Sequence, residues 1–396
     1  MIRKIAVIAA AIASLMGGVA QAQPTAMTPP FKEGDYTIPF FKFGTGEVMD
    51  VRMHYTTLGQ PQRDKQGRVT NAVMILHGTG GTGQQFFRPQ FANELFVPGG
   101  LLDPAKYYII LPDGIGHGKS SKPSDGLRMK FPHYDYDDMV EAEYRLAVEG
   151  LKVDRLRLVM GTSMGCMHAF VLGERHPDFM DAMMPMACQP TALVGRNRLW
   201  RKFLIDGIMN DPAWNGGNYT EQPQAGLREA GALLSLAGSA PIQMQKSMPT
   251  RAAVDAFAEK YQADEIASLD ANDLLFQVSA SRNYDPSKDL AKIKAKVVWV
   301  NSADDFINPP SLGLAEQLAP LIPNGKYILL PESEMTRGHG SHTWAVLWKD
   351  HLKALLEATA PPPAPVRGKT KGKVAPAEAP HEEAHEAPKA PAPHHH

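Results

Sequence analysis

The 396-residue sequence is short of the features that mark several protein classes. It has two cysteines, Cys166 and Cys188, which is too few for a disulfide framework, and buried free thiols are the commoner reading of such a pair. Net charge is only -1, with no basic stripe, which argues against nucleic acid as a partner. No apolar run reaches the roughly 20 residues of a spanning helix. The longest, Ile5 to Val19, follows Arg3 and Lys4 and precedes Ala20-Gln21-Ala22. That order predicts a cleavable signal peptide over residues 1–22, with a membrane anchor as the rival reading, and a secreted bacterial protein with no membrane attachment after cleavage, periplasmic in the first reading and extracellular in the second. Residues 359–396 hold no aromatic side chain and almost nothing large and apolar, and read as a disordered tail. Its His381, His385 and His394 to His396 read as solvated residues or the remnant of a tag, not as a metal site.

What is present is a rhythm. Short apolar runs at Ala72–Leu76, Tyr107–Leu111, Leu156–Met160, Ala182–Met186, Val297–Val300 and Tyr327–Leu330 alternate with helical or turn-rich stretches. Such alternation predicts an α/β fold with a mostly parallel central sheet covered by helices on both faces. The looser pattern over Tyr36 to Leu58 predicts antiparallel strands at the start of the sheet. From Gln189 to about Asp289 the strand rhythm stops, and several helices are expected, punctuated by Pro212, Gly216-Gly217 and Pro223. The core is therefore assigned to residues 23–188 and 290–358, and residues 189–289 to a helical lid roofing the carboxyl end of the sheet. Within and beside the lid, Trp200, Trp214, Phe203, Met183, Met184, Met186 and Met209 could line an apolar pocket, although core packing is the expected fate of most.

Gly161-Thr162-Ser163-Met164-Gly165 stands directly after an apolar strand, and a helix from Met164 to about Arg175 should follow it, stopped by His176-Pro177. Strand, sharp turn and helix is the context in which G-x-S-x-G presents a nucleophilic serine. A serine hydroxyl needs a base, and the base needs an orienting acid. On this arrangement the chain order should be Ser, acid, His. Asp304-Asp305 follows the strand ending at Val300, and Arg337-Gly338-His339-Gly340-Ser341-His342 follows the one ending at Leu330. His339 is the expected base, with His342 as its neighbour and rival, expected in the first turn of the terminal helix. The Gly-rich loop His77 to Gly83 lacks the P-loop lysine and the dinucleotide-binding spacing. It is read instead as an oxyanion loop, with the backbone N–H groups of Thr79 and Met164 as donors. No cofactor and no metal is called for.

These motifs resemble the homoserine O-acetyltransferase-like branch of the α/β-hydrolases, over about Tyr36 to Leu356. The elbow through Gly165-Cys166-Met167 is similar to that branch's, and so are Phe131-Pro132 with Asp138-Met139-Val140. Asp211-Pro212-Ala213-Trp214-Asn215-Gly216-Gly217-Asn218-Tyr219 and Asp270-Ala271-Asn272-Asp273-Leu274 resemble its signatures in the lid. Asp305-Phe306-Ile307-Asn308-Pro309-Pro310 and Gly338-His339 resemble its acid and histidine motifs, which favours Asp305 and His339. The resemblance implies an α/β-hydrolase fold and a catalytic set Ser163, Asp305 and His339 acting on a small acyl substrate. Two departures favour hydrolysis over transfer: Ile205 stands where the transferases carry an arginine, and Asp113-Gly114-Ile115-Gly116-His117-Gly118-Lys119-Ser120 is similar to ordinary hydrolases. An exported chain would also be separated from acyl-CoA. Acyl transfer to a small hydroxyl is the second expectation. A non-catalytic binding protein on the same fold is the third, although no member of the catalytic set is missing. Oligomeric state is left open, a homodimer included.

Overall fold

The structure, a computed structural model, describes residues 29–361. The expected signal peptide with its cleavage site after Ala22, and all the histidines of the expected tail, lie outside the described residues.

Among the described residues, eight strands form one sheet in the order β1-β2-β4-β3-β5-β6-β7-β8. They are β1 (Phe31–Lys42), β2 (Val48–Leu58), β3 (Ala72–Leu76), β4 (Tyr108–Pro112), β5 (Leu156–Thr162), β6 (Met180–Met186), β7 (Lys296–Ser302) and β8 (Gly325–Leu330). The β1–β2 and β2–β4 pairs are antiparallel, and every later pair is parallel. The sequence therefore locates the strands, and the sheet extends several of them by one or two residues. The extension is physical: ladder pairing carries past the apolar core of a run, as at Gly161 and Thr162, which pair with Pro185 and Met186.

The central strands are apolar on both faces because both faces are covered. Val73, Ile75, Leu158, Met160, Ala182, Met184 and Met186 point to one side. There they pack on α1 (Pro89–Leu95), Trp348 and α10 (Lys349–Ala358). Ala72, Met74, Leu76, Val159, Met183, Val297 and Trp299 point to the other. That side holds α2 (Tyr136–Arg145), α3 (Met164–Arg175) and α9 (Leu314–Leu318). Reciprocal bonds fix the start of α2: Asp135 accepts from Asp138 N–H (2.9 Å) and Asp138 from Asp135 N–H (3.2 Å).

Between β6 and β7 the chain forms α4 (Gly195–Asn210), α5 (Gln224–Ala237), α6 (Pro241–Ser247), α7 (Arg251–Ile266) and α8 (Ala271–Ser279). This insertion is fastened to loops beyond the carboxyl ends of the strands. Asp273 accepts from Ser124 N–H (2.8 Å) and Ser124 Oγ (2.6 Å), and Gln277 Nε2 donates to Gly116 C=O (2.8 Å). Arg196 donates to Phe306 C=O (2.6 Å), and Gln243 donates to Ser333 C=O (3.2 Å). Trp200, Trp214, Met183, Met184 and Met186 are buried, whereas Phe203 and Met209 are about half exposed. Among the described residues no helix is long and apolar enough to cross a membrane.

Candidate active site

Ser163 sits between β5 and α3 with φ +55° and ψ -111°. This is a costly backbone for a non-glycine residue, kept only where the surroundings over-determine it. The flanking glycines are required by space. A Cβ on Gly161 would lie 2.0 Å from Gly165 C=O, and one on Gly165 would lie 2.1 Å from Leu76 C=O. The serine N–H donates to Met186 C=O (2.9 Å), which ties the turn to the end of β6.

The loops after β7 and β8 bring Asp305 and His339 to this turn. Ser163 Oγ lies 2.8 Å from His339 Nε2, and His339 Nδ1 lies 2.9 Å from Asp305 Oδ2. With Nδ1–H donating to the carboxylate, Nε2 is left as the acceptor for the serine hydroxyl. Asp305 is buried. Burial works against its charge, but His339, the Asn308 side chain and the Ile307 N–H outweigh that cost and hold its carboxyl below the usual range. The adjacent Asp304 faces elsewhere, accepting from Thr336 Oγ1 (2.8 Å) and Gly338 N–H (3.0 Å), so it anchors the loop that carries His339. Of the two aspartates, the structure brings Asp305 alone to the histidine.

His342 falls in a short 3-10 turn, Gly340–Thr343, and not in the terminal helix, which begins at Lys349. The rise of the chain from β8 is taken up by two such turns before α10 can start. Burial, then the neighbouring His339, pushes the His342 pKa down to about 3, so it is a neutral imidazole. Its ring packs edge-on against His339 at 5.4 Å, beside a small cavity also lined by Met186, Asn301 and Trp348.

The two cysteines are not free thiols: Cys166 and Cys188 form a disulfide, with Cα atoms 5.8 Å apart. Folding places the first turn of α3 against the chain leaving β6, within bridging reach, and a separation of 22 residues in sequence carries no sign of that approach.

The Gly-rich loop begins with a turn closed by Gly81 N–H to Gly78 C=O (3.0 Å), and Gly78 backs onto the serine, where an added Cβ would lie 3.4 Å from Ser163 Cβ. Thr79 is the second residue of that turn, and Met164 is the first residue of α3, whose N–H has no partner within the helix. His77 shapes the loop. Burial holds its imidazole below the ordinary value, so it is neutral. Nε2 accepts from Gly114 N–H (2.9 Å), which assigns the proton to Nδ1, donating to Gly78 C=O (2.8 Å). Neither the role of His77 nor that of Asn308, which donates to Asp305 Oδ2 (3.0 Å), follows from sequence reasoning. His77 opens the loop read for its glycines, and Asn308 lies inside the acid motif, but no spacing rule marks either side chain. Among the described residues, no group of three or more His, Cys, Asp or Glu side chains is placed to hold a metal ion.

A mostly parallel sheet with a serine on a strained strand-to-helix turn, and an aspartate and histidine from later loops, defines an enzyme of the α/β-hydrolase superfamily. The chain belongs to the α/β hydrolase fold family, whose model matches residues 71–335. Within it the chain falls in the homoserine O-acetyltransferase-like branch. It is 26% identical to the homoserine O-acetyltransferase of Pasteurella multocida over 310 residues, covering 69% of this chain and 82% of that protein. It is 29% identical to the ethyl acetate hydrolase of Pseudomonas veronii over 287 residues, covering 65% of this chain and 76% of that protein. Among solved structures, the acetyl esterase MekB superposes with a TM-score of 0.70 at 26% identity, covering 83% of this chain and 97% of that one.

Proposed function

We propose that this protein is a serine hydrolase of carboxylic esters with small acyl groups. The observation that carries this reading is the line of hydrogen bonds from Ser163 Oγ through His339 to Asp305, at 2.8 and 2.9 Å. Ser163 Oγ attacks the ester carbonyl as His339 Nε2 takes its proton. The Thr79 and Met164 amides stabilise the oxyanion, and the alcohol departs with the proton from His339. Water then attacks the acyl-enzyme, giving its proton to His339, and the acid leaves as the proton returns to Ser163. Asp305 holds the tautomer this requires. The helices of the insertion act as a lid that shapes the acyl pocket, and the enzyme works after export, on a small-molecule substrate in solution.

Acyl transfer to a small hydroxyl acceptor is the second reading, since relatives named for each chemistry share this fold. Hydrolysis is favoured by Ile205, a partly buried apolar residue on α4 at the position of the transferase arginine.

The test is steady-state turnover of p-nitrophenyl esters from acetate to octanoate by the mature protein and its Ser163→Ala variant. Turnover with a short-chain optimum, lost by at least about 10³-fold in the variant, is expected. A variant that keeps most activity removes Ser163 from the mechanism. Faster formation of O-acyl homoserine than of free acid, with acyl donor and homoserine supplied, would move the assignment to transfer.

A further inference from the structure

We propose that the Cys166–Cys188 disulfide is a positioning element of the reaction, holding the nucleophile turn and the acid loop in register, and not solely a stabilising crosslink. The inference rests on the reading of Ser163 as nucleophile.

The bridge joins two arms that each contain a left-handed non-glycine residue. Cys166 lies three residues after Ser163 (φ +55°), and Cys188 directly follows Ala187 (φ +65°). Such conformations persist only where neighbouring contacts leave no alternative. The Ala187 carbonyl accepts from Asn308 Nδ2 (3.1 Å), and the same nitrogen donates to Asp305 Oδ2 (3.0 Å). That carboxylate oxygen is also the one that receives His339 Nδ1–H. A closed circuit results: Ser163, the first turn of α3, the disulfide, Ala187, Asn308, Asp305, His339, and back to Ser163. Apart from the disulfide and short stretches of backbone, each link is a hydrogen bond of 3.1 Å or less. The Cys188 carbonyl adds anchorage to β7, accepting from Trp299 Nε1 (2.9 Å) and Asn301 Nδ2 (3.3 Å).

A crosslink acting through the unfolded chain alone could sit at any pair of suitable geometry. This one spans the two turns whose relative placement sets the Ser163–His339 contact. Both cysteines are almost fully enclosed, at 0% and 2% exposure, so solvent does not soften the link. Without the bond, the thiols must separate to van der Waals distance, and the strained turns are free to relax apart. A misplacement of about 1 Å at a reacting pair costs on the order of 10²-fold in rate.

The experiment uses the full chain and its Cys166→Ala/Cys188→Ala variant. It measures the rate of Ser163 phosphonylation by a fluorophosphonate between pH 5 and 9, and kcat and KM for p-nitrophenyl acetate. Circular dichroism fixes a temperature at which both proteins are folded. Expected are a roughly 10–100-fold drop in labelling rate and kcat, KM within about two-fold, and a displaced pH profile as the Asp305–His339 contact loosens. A folded variant that labels at the wild-type rate with an unchanged pH profile overturns the proposal and leaves the bridge a stabiliser. Should the variant not fold, two other proteins decide. One is wild type reduced with a phosphine, in which two electrons and two protons convert the disulfide to two thiols and the phosphine becomes its oxide by taking oxygen from water. The other is Asn308→Ala, which cuts the circuit away from sulfur. Loss of labelling in both, with the fold retained, supports the circuit, and wild-type rates in either overturn it. A wild-type chain unlabelled at Ser163 instead sinks the nucleophile reading on which the proposal stands.

Discussion

Two neighbouring carboxylates do different work. Asp305 turns inward to His339, and Asp304 turns to the backbone of the loop that carries it. Asp305→Asn should lower kcat by about 10⁴-fold with little change in KM, because an amide does not fix the imidazole tautomer. Asp304→Asn should cost roughly ten-fold, through a looser histidine loop. Steady-state kinetics on the two variants checks this, and the reverse ranking would transfer the acid to Asp304. Since burial is outweighed by His339 and Asn308, which leave the Asp305 carboxyl depressed, its contribution to stability is present above its unfolded value near 4 and fades as pH falls through the lower folded value. The order serine, acid, histidine was legible in the chain because each follows a strand in a parallel sheet. The choice between adjacent aspartates was not legible from the residues alone, since their directions are set by the loop backbone after Ser302.

At the scale of elements, the turn at Ser163 is governed by contact between backbones. Gly165→Ala would drive a methyl into Leu76 C=O and should cost about 3 kcal/mol or more, measured by urea unfolding. A variant of wild-type stability would mean that α3 and β3 part more easily than their packing implies. Asp273 on α8 tests the fastening of the insertion. Burial is the chief cause that pushes its carboxyl up to about 6, only partly offset by Ser124. A raised folded value means the native chain keeps a proton that the unfolded chain releases, so this group's stabilisation is complete below about pH 4 and is lost as pH rises through 6. Asp273→Asn should therefore remove roughly 2–3 kcal/mol of the difference in unfolding free energy between pH 4 and 7. An unchanged pH dependence would show that Asp273 titrates normally. Strands were legible at this scale because apolar runs bounded by turns have few other interpretations. In the insertion only helicity could be read, because which face of each helix meets the core depends on contacts such as Trp214 Nε1 to Asn272 Oδ1 (2.9 Å), 58 residues apart.

Across the whole molecule, the disulfide was the feature least accessible to sequence, since proximity of α3 and the end of β6 exists only after folding. Closing its loop of 22 residues should contribute about 3 kcal/mol by chain entropy, read as the shift in urea midpoint between oxidised and reduced protein. A much smaller shift would mean that the unfolded chain is already constrained there. The insertion is tethered to the loop bearing Asp305 through Arg196 and to the chain ahead of His339 through Gln243, so changes in its helices reach the site by way of those loops.

The bridge also constrains how such a protein can change over generations. Losing either cysteine alone leaves an unpaired thiol in a nearly dry position and gives up the crosslink in one step, so a lineage gains little from an intermediate with one. Among descendants that keep this site, the two positions should behave as a single inherited character, present together or replaced together, and a family tree with many one-cysteine branches would speak against any selective value for the pair.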